Sequence, residues 1–267
     1  MLAPANFSRN AEIPPGVFRR YILENHARGL AEIVPGKPKE GSLYIVASGP
    51  SLLETWPILR NRPGEIWALN AAFDWLCRKG IRPDYGACVA PENAILRYFQ
   101  EAREGDKYLF ASQTHPKLVD RVLERGGKVT FWHAAFPEEW DMPIPKTNLI
   151  YGAGTIGMRV FDLAWVLGWR DVHVLGMDAC NSADGRIAVE TPMYEDKRNF
   201  LRTYVVNGRA FVGLSSHIRQ VEDFADVINP LKGMNVTLYG DGALQWSQTI
   251  PANSTTERTN HDYVKYS

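Results

Sequence analysis

The stretch Leu43-Tyr44-Ile45-Val46-Ala47-Ser48-Gly49-Pro50-Ser51-Leu52 decides the fold. Its first five residues form a short apolar run between Gly41 and Ser48-Gly49-Pro50, the form of a buried strand. Residues 52–59 can continue as a helix with Ser51 as its cap. The same rhythm recurs outward from this unit. Strands are predicted over 65–70, 85–89, 107–112 and 128–133. Helices are predicted over 71–79, 94–102 and 116–124. An irregular stretch, 136–148, carries three prolines. Then a helix over 155–167 ends at Gly168, and a strand over 172–175 runs into Gly176-Met177-Asp178. Asn207-Gly208 between 200–206 and 209–214 is a strong hairpin signal. A helix over 218–228 and a strand over 235–239 come next. Short apolar strands alternating with helices specify an α/β, Rossmann-like fold, a mostly parallel sheet with helices on both faces. A β-hairpin is added near the C-terminal part.

Three segments are expected: a lead-in over 1–40 with one helix over about 17–33, a Rossmann-like domain over 41–248, and a polar, frayed tail over 249–267. The chain has 267 residues, 30 basic and 30 acidic side chains, and no net charge. That balance argues against general nucleic-acid binding. No apolar run approaches the roughly 20 residues of a membrane-spanning helix, and the first ten residues lack a signal-peptide pattern. Three widely spaced cysteines, Cys77, Cys88 and Cys180, form neither a disulfide framework nor a zinc pattern. A reducing cytoplasm is the expected location.

Ligands of open parallel sheets bind beyond the carboxyl ends of the strands. The candidates are therefore the residues just after each strand. Ser48, Gly49, Pro50 and Ser51 come after the first; a glycine there admits close backbone approach, and free N–H groups could hold a phosphate. The loop has no P-loop lysine. Asn70 ends the second strand and suits a base or sugar hydroxyl, or else caps a helix. Glu92 comes after the third. Asp178 comes after the strand over 172–175 and could bind a ribose or substrate amine, hold a metal, or cap the next segment. His217 opens a helix, where a histidine can act as general base. Residues 152–157 spell G-x-G-x-x-G with Asp178 near the ribose spacing. They come after an irregular stretch, so a nicotinamide cofactor rests on a lone, weak match.

Four segments in order resemble one superfamily: LYIVASGPSL at 43–52, WALNAAFDWLCRKGIRPDYGACV at 67–89, GAGTIGMRVFDLAWVLGWRDVHVLGMD at 152–178, and SSHIRQVEDFADVINPLKGMNVTLY at 215–239. It includes the MptE-like 6-hydroxymethylpterin diphosphokinases, the motility accessory factors that glycosylate flagellin, and a class of bacterial sialyltransferases. The resemblance spans about 43–246. It implies Ser48, Gly49, Pro50 and Ser51 at nucleotide phosphates, Asn70 near the nucleotide or donor sugar, and Gly154 and Thr155 facing the donor. It implies Asp178 at the nucleotide end and His217 as base at the acceptor. Many relatives carry an Asp after the third strand; here only Glu92 could replace it.

The implied function is a nucleotide-dependent group transferase. The first form is a sialyltransferase-like glycosyltransferase using a CMP- or NDP-sugar, with a hydroxyl acceptor of unidentified class. The second is an MptE-like diphosphokinase using ATP with Mg²⁺. The alternative from another class is a non-catalytic nucleotide-binding or partner-binding module, in which the hairpin and exposed Trp140 and Trp246 serve a partner. The cations nearest the phosphates in sequence are Arg159, Arg186, Lys197 and Arg198.

Overall fold

A computed structural model describes residues 13–136, 142–144, 148–189 and 200–249, and the backbone of 264–266. Eight strands build the main sheet: β1 (Ser42–Val46), β2 (Glu65–Leu69), β3 (Tyr85–Cys88), β4 (Lys107–Ala111), β5 (Lys128–Ala134), β6 (Leu149–Ile150), β7 (Asp171–Leu175) and β10 (Asn235–Tyr239). Their spatial order is β10-β7-β1-β2-β3-β4-β5-β6. Every pairing in it is parallel. A parallel sheet places all carboxyl ends on one edge. The chain moves outward from β1 to β6, then returns to lay β7 on the other side of β1. The strand order therefore reverses between β1 and β7, and a crevice opens there.

Alternation of side chains along the strands divides the core into two layers. Leu43 and Ile45 of β1 face one layer, with α5 (Ile156–Val166) and α6 (Ser215–Ile228) packed on it. Tyr44 and Val46 face the other, covered by α2 (Leu52–Thr55), α3 (Ala71–Arg78) and α4 (Pro116–Glu124). The hairpin joins β8 (Arg202–Val206) to β9 (Arg209–Gly213). Asn207 and Gly208 both take positive φ, 45° and 81°, as a tight two-residue hairpin turn requires. The α/β architecture with a parallel sheet and an added hairpin matches the sequence expectation.

Differences from that expectation have local causes. The first helix is α1 (Pro15–His26) and stops short of residue 33. Residues 31–33 are instead held in extended pairing on β5, with Ile33 N donating to Phe131 O (2.8 Å) and Phe131 N to Ala31 O (2.8 Å). The predicted helix over 52–59 is only α2, succeeded by a 3-10 turn from Trp56 to Asn61 with Pro57 in its first turn. In place of a helix over 94–102 there is a 3-10 turn, Asn93–Arg97. Phe99 breaks it with φ 57° and drives its ring among Phe73, Tyr108 and Phe110, at 5.2–5.7 Å between centroids. Aromatic burial outweighs local helix preference there. The irregular stretch ends in β6, so residues 152–157 do come after a strand, at the sheet's far edge. A short helix, α7 (Ala243–Ser247), comes after β10. The tail contributes β11 (Val264–Tyr266), which pairs antiparallel with β8. Residues 190–199 and most of the tail, with Trp140, Lys197 and Arg198, lie outside the described residues.

The lead-in is fastened by Asn25, fully buried on α1. Its Nδ2 donates to Ser112 O (2.9 Å) and Thr114 O (2.7 Å) beyond β4. Asn25→Ala leaves both carbonyls unsatisfied. It should cost about 2–4 kcal/mol of stability, read from urea unfolding at pH 7; a loss under 0.5 kcal/mol would remove this fastening role.

Candidate functional site

The crevice is built from the strand ends beside the switch between β1 and β7. Gly49 N donates to Gly176 O (2.7 Å), drawing the turn after β1 onto the turn after β7. A side chain at Gly49 would meet Gly176 O at 2.5 Å and Asp178 Oδ2 at 2.6 Å, so only glycine fits this approach. Asp178 is 4% exposed. Its Oδ2 accepts from Ser51 N (2.7 Å), and its Oδ1 accepts from Ser51 Oγ. Burial pushes the Asp178 carboxyl above the usual carboxylate range, and the Ser51 hydrogen bonds pull against that. The carboxylate caps the turn that opens α2. Sequence alone leaves the N–H groups after Gly49 free for a phosphate; the Ser51 N–H is instead taken by Asp178. Leu52 N and Leu53 N bond back to Gly49 O and Pro50 O. The Ser48 carbonyl accepts from Val189 N (2.9 Å), so the segment after β7 folds back over the turn.

A second group of N–H donors lies alongside. Thr155 caps α5, its Oγ1 accepting from Met158 N (3.3 Å). The N–H groups of Ile156 and Gly157, in the first helical turn, have no carbonyl four residues earlier within the helix. A side chain at Gly157 would meet Met177 Cε at 3.5 Å, which brings this helix start beside the loop after β7. Gly154 and Thr155 are half-buried there. Arg159, one turn on, is fully buried. It donates to Ile150 O (2.7 Å) and Ala135 O (3.0 Å), so it braces β5 and β6. Burial lowers its pKa to about 10.

Asn70 ends β2, next to β1, with φ 49° and ψ −119°. That region strains any residue but glycine. Asn70 stands at the N-cap of α3, yet its side chain makes no capping bond. Its Oδ1 is buried without a hydrogen-bond partner. The capping role that sequence allows is thus not the one it plays. Glu92, half-buried, precedes the 3-10 turn after β3, one strand beyond Asn70.

His217 stands apart from this contact. It lies in the first turn of α6, after the hairpin, with its ring against Gly213. Its Nδ1 accepts from Leu214 N (3.3 Å). Burial lowers its pKa to about 4, so the ring is neutral at pH 7. With Nδ1 accepting, the proton sits on Nε2.

A cavity of about 790 Å³ adjoins the crevice between α2, the loops after β7 and β10, and the hairpin. Ser51, Asp178, Arg186, Arg209 and Asp241 line it; His217 does not. Its size falls within the usual range for small-molecule sites. Sequence reasoning misses Arg209 and Asp241. Arg209 comes directly after the Asn207-Gly208 turn, but only the docking of the hairpin on α7 aims it at the cavity. Asn207 Nδ2 donates to Trp246 O (2.9 Å) and Thr249 O (2.7 Å), and Trp246 Nε1 donates to Asn207 O (3.3 Å). Trp246 is half-buried in that contact rather than exposed to a partner as expected from sequence.

A family model described as "6-hydroxymethylpterin diphosphokinase MptE-like" matches residues 20–184. The chain belongs to the MptE-like family. The match takes in Gly49, Asn70, Thr155 and Asp178 and ends before the hairpin and His217. The solved structure of a Maf glycosyltransferase from Magnetospirillum magneticum AMB-1 is similar in fold, with a TM-score of 0.65 and 16% sequence identity. That likeness covers 90% of this chain and 38% of the larger one. No curated protein matches the chain. Among the described residues, no helix is long and apolar enough to cross a membrane.

The Gly49–Asp178 contact tests simply. Gly49→Ala should lower stability by about 1–3 kcal/mol through overpacking, measured by urea unfolding. A variant as stable as the parent would mean that the two turns have room to part.

Proposed function

We propose that this MptE-like chain is a nucleotide-dependent group transferase of the glycosyl-transfer type, working at the crevice between β1 and β7. The observation that carries the reading is Asn70. A strained backbone and a buried, partnerless amide oxygen are both unfavourable in the free protein. A ligand that donates a hydrogen bond to Oδ1, such as a ribose hydroxyl or a base amino group, offsets that cost. The family match and the strand-order reversal support the same place.

In this reading the nucleotide lies over the ends of β1 and β2. Its phosphates face the start of α5, where an eleven-residue helix points its positive end outward. The turn after Gly49 shapes the floor, and Asp178 positions that turn. Glu92 lies further along the edge, towards the nucleotide's far end. The reaction is a direct displacement. The acceptor oxygen bonds to the anomeric carbon, the carbon–phosphate-oxygen bond breaks, and the nucleotide leaves with the electron pair. The acceptor hydroxyl loses its proton to a base. His217 fills that role in the tautomer that carries the proton on Nδ1, which requires release of Leu214 N.

Metal chemistry has a poor set of donors here. Both Asp178 oxygens engage Ser51. Among the described residues, no three His, Cys, Asp or Glu side chains cluster to hold a metal. A Mg²⁺ arriving on ATP belongs to the substrate. Pyrophosphoryl transfer from ATP is the second reading, favoured by the family's own description.

Two experiments test the proposal. Asn70→Gly relieves the backbone strain, so it should raise Tm while weakening nucleotide binding. Thermal shift with CMP, CMP- and UDP-sugars, and ATP with Mg²⁺ reads both effects. Stabilisation by CMP or UDP species without metal supports sugar transfer, and ATP–Mg²⁺ alone supports the kinase. If no nucleotide shifts Tm, the transferase reading fails and a binding module without nucleotide is left. For His217, Ala should lower turnover roughly 10²- to 10⁴-fold with donor binding nearly kept. Because its depressed pKa leaves the imidazole neutral above about pH 4, kcat/KM should not fall between pH 8 and 5.5 on its account. Unchanged turnover in the Ala variant removes the base assignment.

A further inference from the structure

The cavity beside the crevice has walls of mixed chemistry. On one side Arg186 Nε lies 2.8 Å from Asp184 Oδ2. On the other Arg209 Nη1 lies 2.5 Å from Asp241 Oδ1. The Asp184 and Asp241 side chains are 56% and 71% exposed. Ion pairs this exposed contribute little stability. Each pair sets guanidinium donors beside carboxylate acceptors.

Three ligand chemistries can be compared against these walls. A phosphate accepts hydrogen bonds only. It would meet four carboxylates, Glu54, Asp178, Asp184 and Asp241, against two guanidiniums. A metal cation would have to part both aspartates from their arginines. A hydroxyl group donates and accepts at once, so a vicinal diol matches a guanidinium–carboxylate pair without displacing either charge. Apolar surface also lines the cavity. Leu53 and Val212 line the cavity and are 41% and 42% exposed. The Arg209 guanidinium is stacked 5.0 Å over the Phe211 ring. A sugar ring offers hydroxyl edges and C–H faces in that arrangement.

We propose that this cavity is a saccharide subsite, with Asp184–Arg186 and Arg209–Asp241 each grasping hydroxyls of an acceptor sugar. The proposal rests on the transferase reading and names its acceptor class. The shared chemistry is a vicinal diol, which the ribose of a nucleotide also carries, so the test separates the two sources.

The full chain would be titrated by calorimetry with lactose, maltose and N-acetylglucosamine, and separately with cytidine and inorganic pyrophosphate. At least one saccharide should bind, with or without saturating nucleotide. Asp184→Asn and Asp241→Asn should each weaken it about tenfold or more, as loss of a charged hydrogen bond predicts. Both variants should keep the parent's nucleotide-induced Tm shift. Both sites are exposed, so the fold should survive; circular dichroism checks it. The subsite is overturned if nucleotide binds but no saccharide does, if the variants bind saccharide like the parent, or if only cytidine or pyrophosphate occupies the cavity. Saccharide binding without any nucleotide response keeps the sugar site and removes its role as acceptor in nucleotide-dependent transfer.

Discussion

The buried carboxylate of Asp178 clasping the backbone and hydroxyl of Ser51 organises the functional edge of this protein. It ties the turn after β1 to the turn after β7, the two strands between which the chain reverses direction across the sheet. Without the clasp, those turns would carry an unpaired buried acid and an unpaired N–H, each unfavourable by itself. With it, a carboxylate that sequence placed near a ligand becomes a part of the floor. The Gly49 contact completes the junction, because no other residue permits the approach.

That junction sorts the candidate residues into distinct roles. The first-turn N–H groups of α5 lie across the crevice from the loop that holds Gly49, without acceptors within the helix. Asn70 carries strain and an unpaired oxygen towards the same edge. Arg159, a cation suggested for phosphate binding, is drawn inside to brace two carbonyls. Arg209, which no motif marked, stands in a cavity wall because the hairpin docks on α7. His217 sits beyond the cavity with its proton held on Nε2, so its chemistry depends on the bond to Leu214 N.

Local signals were sufficient for most strands and for the long helices. α4 and β10 fall on the predicted residues, since an apolar stripe at helical spacing and an alternating strand are written in neighbouring residues. Failures came where distant partners overruled local preference. Residues 94–102 carry a helical pattern, yet the aromatic cluster around Phe99 breaks the helix. Residues 31–33 leave the first helix to pair with β5. The two residues of β6 are too few to announce themselves.

By itself the sequence determined a parallel α/β sheet, most of its helices, the hairpin, and the set of polar residues at strand ends, because periodicity and turn chemistry act over a few residues. Tertiary structure alone decided which of those residues meet. Strand order is set by long-range pairing, and it brings Gly49 against Asp178 while leaving Glu92 further along the edge. Hydrogen-bond partners, burial and backbone strain arise only on packing. They turned Asp178 into a clasp, freed the Asn70 amide from capping, and lined a cavity with two arginine–aspartate pairs.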